Sequence, residues 1–162
     1  MSGRERSSIK PLAFGCADFS YKGEKSMKHY FEVEVYYADT DCYGVVWHGT
    51  YVRYCEQART DFVAKLYKGM KYFEDNNIAT PIVNLNIKYK NFAKIHDVLV
   101  IETTVEKITP LRATMLQKIT NKITGEDVAE ATIDFVCTDN NGKLYRKMPQ
   151  EMVDMLKKAQ DA

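Results

Sequence analysis

The chain has no long run of apolar residues, which excludes a membrane-spanning helix of about 20 residues. It has no surplus of either charge: 23 Lys and Arg stand against 22 Asp and Glu, a net charge of +1. Bulk electrostatics therefore give no case for nucleic acid or an anionic membrane as partner. No CxxC pair occurs among Cys16, Cys42, Cys55 and Cys137. Neither a zinc site nor a redox couple is suggested, and reduced thiols in a cytoplasmic protein are expected. The first residues, MSGRERSSIKPLAFGCADFSYKGEKS, lack the apolar centre of a secretory signal. There is no internal repeat and no low-complexity tract. What is present is the composition of one soluble globular domain, 45% hydrophobic and 28% charged over 162 residues, long enough to bury a real core.

Residues 1–27 are polar, with Gly3, Gly15 and Gly23 and no steady period. They read as an N-terminal extension, expected to pack on the body or on a neighbouring subunit. A single domain over residues 28–162 follows. HYFEVEVYY alternates, with Phe31, Val33, Val35 and Tyr37 on one face and Glu32 and Glu34 on the other, the pattern of a half-buried strand. Residues 38–49 break both periods. From Thr50 a helical period begins: Tyr51, Tyr54, Cys55, Ala58, Phe62 and Leu66 form one apolar stripe, and Gly69 is a fitting stop. YFEDNNIATP reads as a loop. IVNLNIKYKNF, DVLVIETTVEKI, LRATMLQKIT and DVAEATIDFVCT read as four long strands with short turns between them. Pro149 opens a small terminal helix. Strands joined by tight turns are antiparallel neighbours, and one long amphipathic helix must cover the inner face of their sheet. The class is α+β.

The stretch YYADTDCYGVVWHGTYVRYCEQAR, from Tyr36 to Arg59, holds the chemistry. It sets Asp39 and Asp41 two apart, then Gly44, an apolar pair, Trp47 and His48, directly before the helix. A thioester is electrophilic but slow to react with neutral water. Hydrolysing it takes a carboxylate to activate water or to attack directly, and donors for the charge that grows on the carbonyl oxygen. A helix start supplies unpaired N–H groups and partial positive charge. On chemistry alone, Asp41 is either such a carboxylate or the acceptor of an Asx-turn in a polar loop. Asp39, Asp41 and His48 could also ligate a divalent ion, but their spacing matches no metal motif.

The stretch resembles the hotdog-fold thioesterases, in the branch of 4-hydroxybenzoyl-CoA thioesterase and the Tol-Pal-associated acyl-CoA thioesterases. The matching residues are Asp39, Asp41, Gly44, Val45, Val46, Trp47, His48, Tyr51, Tyr54, Glu56 and Arg59, and the order of elements extends the match over residues 29–160. The resemblance implies a hotdog fold, an antiparallel sheet wrapped around one long central helix. It implies hydrolysis of an acyl-CoA to a carboxylic acid and free CoA, with no cofactor beyond the CoA carried by the substrate and no metal. It also implies a homo-oligomer, a dimer or a dimer of dimers with sites at the subunit interface.

By the same resemblance Asp41 is the catalytic carboxylate, and His48 acts through its backbone N–H or through its imidazole. Asp39 is expected to accept loop N–H bonds, and its charge to raise the proton affinity of Asp41. Gly44 is expected to permit a positive φ or a close backbone approach. Val46, Trp47 and Tyr51 support the site. Glu56 is a second acid within reach, or a partner of Arg53 or Arg59. Lys88, Lys90 and Lys94 are candidates for the CoA phosphates or for a solvated outer face, and the adjacent basic pair usual in this branch is missing. Tyr51, Tyr54, Phe62 and Tyr67 either shape an acyl pocket or are simply core. Two rival functions are hydrolysis of an acyl group on a carrier protein and non-catalytic acyl-CoA binding. A hydratase fits less well, because that branch places its acid and His in a different motif.

Overall fold

The computed structural model describes residues 27–66 and 69–161. The extension before Met27, with Cys16, and the pocket candidate Tyr67 lie outside the described residues. Strand β1 (His29–Glu34) is followed by a 3-10 turn (Tyr37–Asp39), helix α1 (Thr50–Leu66) and a short helix α2 (Lys71–Asp75). Strands β2 (Ile82–Tyr89), β3 (Val98–Ile108), β4 (Arg112–Asn121) and β5 (Asp127–Val136) come next, and helix α3 (Gln150–Asp161) closes the chain. The strands form one sheet in the order β1-β3-β4-β5-β2, and every neighbouring pair is antiparallel.

Three details differ from the sequence reading. Tyr37 leaves the strand for the 3-10 turn and is 82% exposed, because Asp39 captures the chain there before the alternation can continue. The supposed loop 72–81 contains part of α2, which buries Phe73. The third difference is topological. Strand β2 does not turn back on β3 but pairs with β5, while β3 takes β1 as its neighbour. Residues 90–97 therefore cross between opposite flanks of the sheet rather than forming a hairpin.

The inner face is built from alternate residues of the three central strands. Leu99, Ile101 and Val105 of β3, Ala113, Met115 and Ile119 of β4, and Ala129, Ala131, Ile133 and Phe135 of β5 are all buried. The alanines leave room for α1 to approach, and the larger residues interlock with its stripe. Tyr51, Tyr54, Cys55 and Ala58 of α1 pack with Val35, Leu99, Ile101, Ile119 and Ile133. Further along, Phe62 and Val63 join Met115, Phe135 and the α3 residues Met152, Leu156 and Ala159. The central helix thus covers one half of the face, and α3 shares the other half with it. Pro149 directly precedes α3, and its carbonyl accepts the Val153 N–H at 3.1 Å.

One polar row crosses this core. Gln117 is fully buried and donates to the Cys55 carbonyl of α1 at 3.0 Å and to Thr103 Oγ1 at 3.2 Å. A hydrogen bond in this apolar setting ties the helix to the sheet at one defined point, in addition to the packing.

A second polar contact joins β1 to α1. The buried His29 donates through Nε2 to Asp61 Oδ2 at 2.8 Å, with Lys65 Nζ 2.9 Å from the same oxygen and the Phe62 ring 5.5 Å from the imidazole. Burial, and then the Lys65 charge, lower the His29 pKa below its usual 6.5, with Asp61 opposing them. A folded-state pKa below the unfolded one means that protons favour the unfolded chain. This contribution is complete above about pH 6.5 and is lost as pH falls through the lowered folded value. Urea unfolding between about pH 7 and about pH 5 should show stability falling more steeply in the native protein than in His29→Gln. Equal slopes would remove His29 from the pH dependence.

Candidate active site

The loop between β1 and α1 is a tight hairpin. Thr40 bridges Val46, the Asp41 N–H donates to Val45 O at 2.9 Å, and the Trp47 N–H donates to Asp39 O at 2.9 Å. At the tip, the Gly44 N–H reaches Asp41 O at 3.0 Å, with Gly44 at φ +73°. A side chain there would meet nothing within 4 Å. Of the two readings of Gly44, the structure has the backbone conformation and not the close approach. The hairpin is stitched to the crossing link: Val46 N–H donates to Ala93 O at 2.8 Å, and Val45 bridges Lys94.

Asp41 sits at the tip, partly exposed. Its Oδ1 accepts the Tyr43 N–H at 2.8 Å, an Asx-turn. Among the described residues Oδ2 has no hydrogen-bond donor, so one oxygen orients the carboxylate and the other is left unengaged.

Asp39 lies deeper, 5% exposed. Its Oδ2 accepts the Tyr36 N–H at 2.9 Å, and its Oδ1 is paired with the Arg53 guanidinium from the first turns of α1. Its carbonyl takes both the Trp47 N–H and, at 3.2 Å, the Thr50 hydroxyl. The Tyr54 hydroxyl is buried close by. Burial first, and the neighbouring Asp39 carboxylate second, push its pKa up, yet it makes no hydrogen bond of ordinary geometry. The sequence reading offered Arg53 and Arg59 as alternative partners for Glu56. The structure gives Arg53 to Asp39 and Arg59 to Glu56, the latter two-pronged at 3.0 and 2.6 Å. Arg59 also donates to Thr80 Oγ1 at 3.3 Å.

His48 follows the hairpin on the exposed side, its ring 4.9 Å from that of Trp47. The Trp47 carbonyl receives the Thr50 N–H at 2.8 Å. The N–H groups of His48 and Gly49 have no acceptor among the described residues. The Trp47 indole lies so close over Gly49 that a Cβ there would force the ring to move. Gly49 is a site residue that the sequence reading did not single out, although a glycine directly before a helix was a visible cue. Tyr89 is a second. Its hydroxyl, at the end of β2, donates to the His48 carbonyl at 3.0 Å, and its ring meets Tyr51 edge-on at 5.5 Å. Nothing local in the sequence joins positions 48 and 89; only the fold does.

The remaining candidates are dispersed. Val46, Tyr51, Tyr54 and Phe62 are core, and burial pushes the Tyr51 phenol up to about 12. Lys94 stands beside the hairpin through its bridge to Val45. Lys88 is exposed on β2, and Lys90 is engaged by Asp127 at 3.1 Å and Glu130 at 3.5 Å. A shallow open groove of about 440 Å³ runs between β1 and α1, lined by Phe31, Glu56, Gln57, Thr60, Asp61 and Ala64. Neither Asp41 nor His48 lines it. Among the described residues no three His, Cys, Asp or Glu side chains gather as a metal-ligand set.

Residues 35–157 match the thioesterase-like superfamily, a span that holds the hairpin and all of α1. The chain belongs to the thioesterase-like superfamily. It is 32% identical over 110 residues to the acyl-CoA thioesterase YbgC of Haemophilus influenzae, covering 67% of this chain and 79% of that protein. It is 31% identical over 123 residues to the acyl-CoA thioester hydrolase YbgC of Escherichia coli, covering 75% and 90%. A DHNA-CoA thioesterase from Staphylococcus aureus superposes with a TM-score of 0.75 at 28% identity, over 83% of this chain and 91% of that one. The five-stranded antiparallel sheet packed on its helix is the hotdog fold of this superfamily, and the enzyme class expected from the sequence, a thioester hydrolase, stands.

Asp39 joins the end of β1, the hairpin and α1, so removing its carboxylate should loosen all three. Asp39→Ala should cost about 1–3 kcal/mol, chiefly from the Tyr36 N–H left without its acceptor; the Arg53 pair adds little because Arg53 is mostly exposed. Urea denaturation measures this, and an unchanged midpoint would deny Asp39 that role.

Proposed function

We propose that this protein hydrolyses an acyl-CoA thioester to a carboxylic acid and free CoA, with Asp41 as the catalytic carboxylate. The observation that carries the reading is the state of Asp41. One oxygen is held by a loop N–H and the other is open, on a hairpin whose far side runs directly into the free N–H groups at the start of α1. The superfamily and the names of its relatives supply the thioester and the CoA.

In this mechanism Asp41 takes a proton from water as the oxygen attacks the thioester carbon. The negative charge that grows on the carbonyl oxygen is met by N–H groups at the helix start, beginning with that of His48. Collapse breaks the C–S bond and expels the CoA thiolate, which is protonated by Asp41 or by solvent. Direct attack by Asp41 through a mixed anhydride would use the same groups in the same places. No metal or separate cofactor enters any step.

Lys94, beside the hairpin, and the exposed Lys88 are the cations we assign to the CoA phosphates, with Lys90 released from its acidic partners as the ligand arrives. The working unit we propose is a cytoplasmic homo-oligomer, a dimer or a dimer of dimers. Its support is the sheet's two open edges, β1 and β2, the latter carrying exposed Ile82 and Val83. Among the described residues no helix is long and apolar enough to cross a membrane.

Asp41→Asn keeps the size of the side chain and removes the base. Thiol release from acyl-CoA should fall about 100-fold or more, with substrate binding little changed. Glu56→Gln, which only weakens the grip on Arg59, should retain most of the activity. The reverse pattern would move the base to α1. His48→Gln separates the two roles of that residue, because it keeps the backbone donor. It should retain much of the activity and leave the rising limb of the pH–rate profile in place. A loss of about 100-fold with the circular dichroism spectrum intact would make the imidazole itself an acid or base.

A further inference from the structure

Two peptide groups, 47–48 and 48–49, precede α1, and both present an unpaired N–H. In each, the carbonyl determines where the N–H points, because in a trans peptide the C=O and N–H are opposed across a rigid plane, and the chain has no cis peptide among the described residues. The first plane is fixed by the helix itself, through the Thr50 N–H on the Trp47 carbonyl. The second has no such restraint. The only donor to the His48 carbonyl among the described residues is the Tyr89 hydroxyl, at 3.0 Å.

We propose that Tyr89 is a positioning residue of the hydrolytic site, holding the His48–Gly49 peptide so that the Gly49 N–H is offered to the thioester carbonyl oxygen. The inference rests on the proposed thioesterase reading and deepens it, adding a donor and the residue that aims it.

Three further observations bear on it. The Tyr89 ring is itself anchored, edge-on against the buried Tyr51 at 5.5 Å, so its hydroxyl is delivered from a fixed base. Its pKa is raised, by burial and then by Cys55, so the phenol remains protonated and can donate throughout the neutral range. Gly49 is overlain by the Trp47 indole, which limits the peptide's freedom to rotate once its carbonyl is engaged. Without the hydroxyl, the 48–49 peptide can rock and turn its N–H away, and a donor that must reorganise during the reaction loses most of its value. Tyr89 touches no reacting atom in this scheme. It acts through one peptide plane.

The variant that tests this is Tyr89→Phe, which keeps the ring on Tyr51 and removes only the hydroxyl. Because the lost hydrogen bond is exposed, the fold should survive, and circular dichroism and thermal unfolding check this. The first measurement is thiol release from acyl-CoA by the native protein, and no turnover there would overturn the thioesterase reading and this inference with it. Given turnover, Tyr89→Phe should lower kcat by about 10-fold or more, in keeping with a weakened oxyanion donor, and leave KM nearly unchanged. The second measurement is the carbonyl stretching band of an acyl-CoA bound to Asp41→Asn, read by difference infrared spectroscopy. A carbonyl polarised by the Gly49 N–H shifts to lower frequency on binding, and in Asp41→Asn combined with Tyr89→Phe that shift should shrink. An unchanged kcat, a change confined to KM, or a lower kcat with the carbonyl band unmoved would each overturn the assignment and reduce Tyr89 to a structural prop.

Discussion

The buried carboxylate of Asp39 is the constraint on which the candidate site depends. Its side chain stops β1 by capturing the Tyr36 N–H. Its carbonyl holds the returning arm of the hairpin at Trp47 and the first residue of α1 at Thr50. A buried acid is costly unless its oxygens are occupied, and here a backbone donor and Arg53 occupy them. The two acids of the Asp-x-Asp pair thus divide their work by depth. The inner one is spent on architecture, and the outer one keeps an oxygen free.

The sheet serves this arrangement from below. Its inner face is small at Ala129 and Ala131 and large at Ile101, Ile119 and Ile133, so α1 settles into a shaped trough, while Gln117 ties it to the sheet at one point. The position of the helix start is therefore set by core packing as well as by the hairpin that leads into it. The crossing link 90–97 adds a second brace, holding Val45, Val46 and Val35 through Lys94, Ala93 and His96. A loop that looks irregular in isolation is gripped on both sides by backbone.

Most of this was legible locally. The alternation of residues 29–35, the stripe from Tyr51 to Leu66 and the four later strands all follow from periods that one face of an element imposes on its own sequence. Asp39, Asp41, Gly44 and His48 could be nominated as candidates because motif residues lie close together in the chain. The strand order was not, since a period says which face of β2 is buried and nothing about its neighbour, and β2 went to β5 instead of β3. The partner of Arg53 was missed for a related reason: helix spacing makes Glu56 the obvious neighbour, whereas Asp39 approaches from outside the helix. Tyr89 stood in the sequence only as one residue of the strand stretch IVNLNIKYKNF. Its contact with His48 needs the end of β2 brought over the start of α1, which no local pattern encodes.

The pairing of His29 with Thr103 and of Tyr89 with Ala129 has a consequence for how the protein is made. Contacts between residues so distant in the chain cannot close until late, because the loop entropy of joining them is offset only once both partners are present. On a ribosome the Asp41 hairpin emerges long before β3 and β5, so for most of synthesis it has neither its crossing brace nor the sheet beneath it. The candidate site assembles as the last strands dock, and a truncated chain that ends before β5 carries every residue of the motif without the packing that positions them.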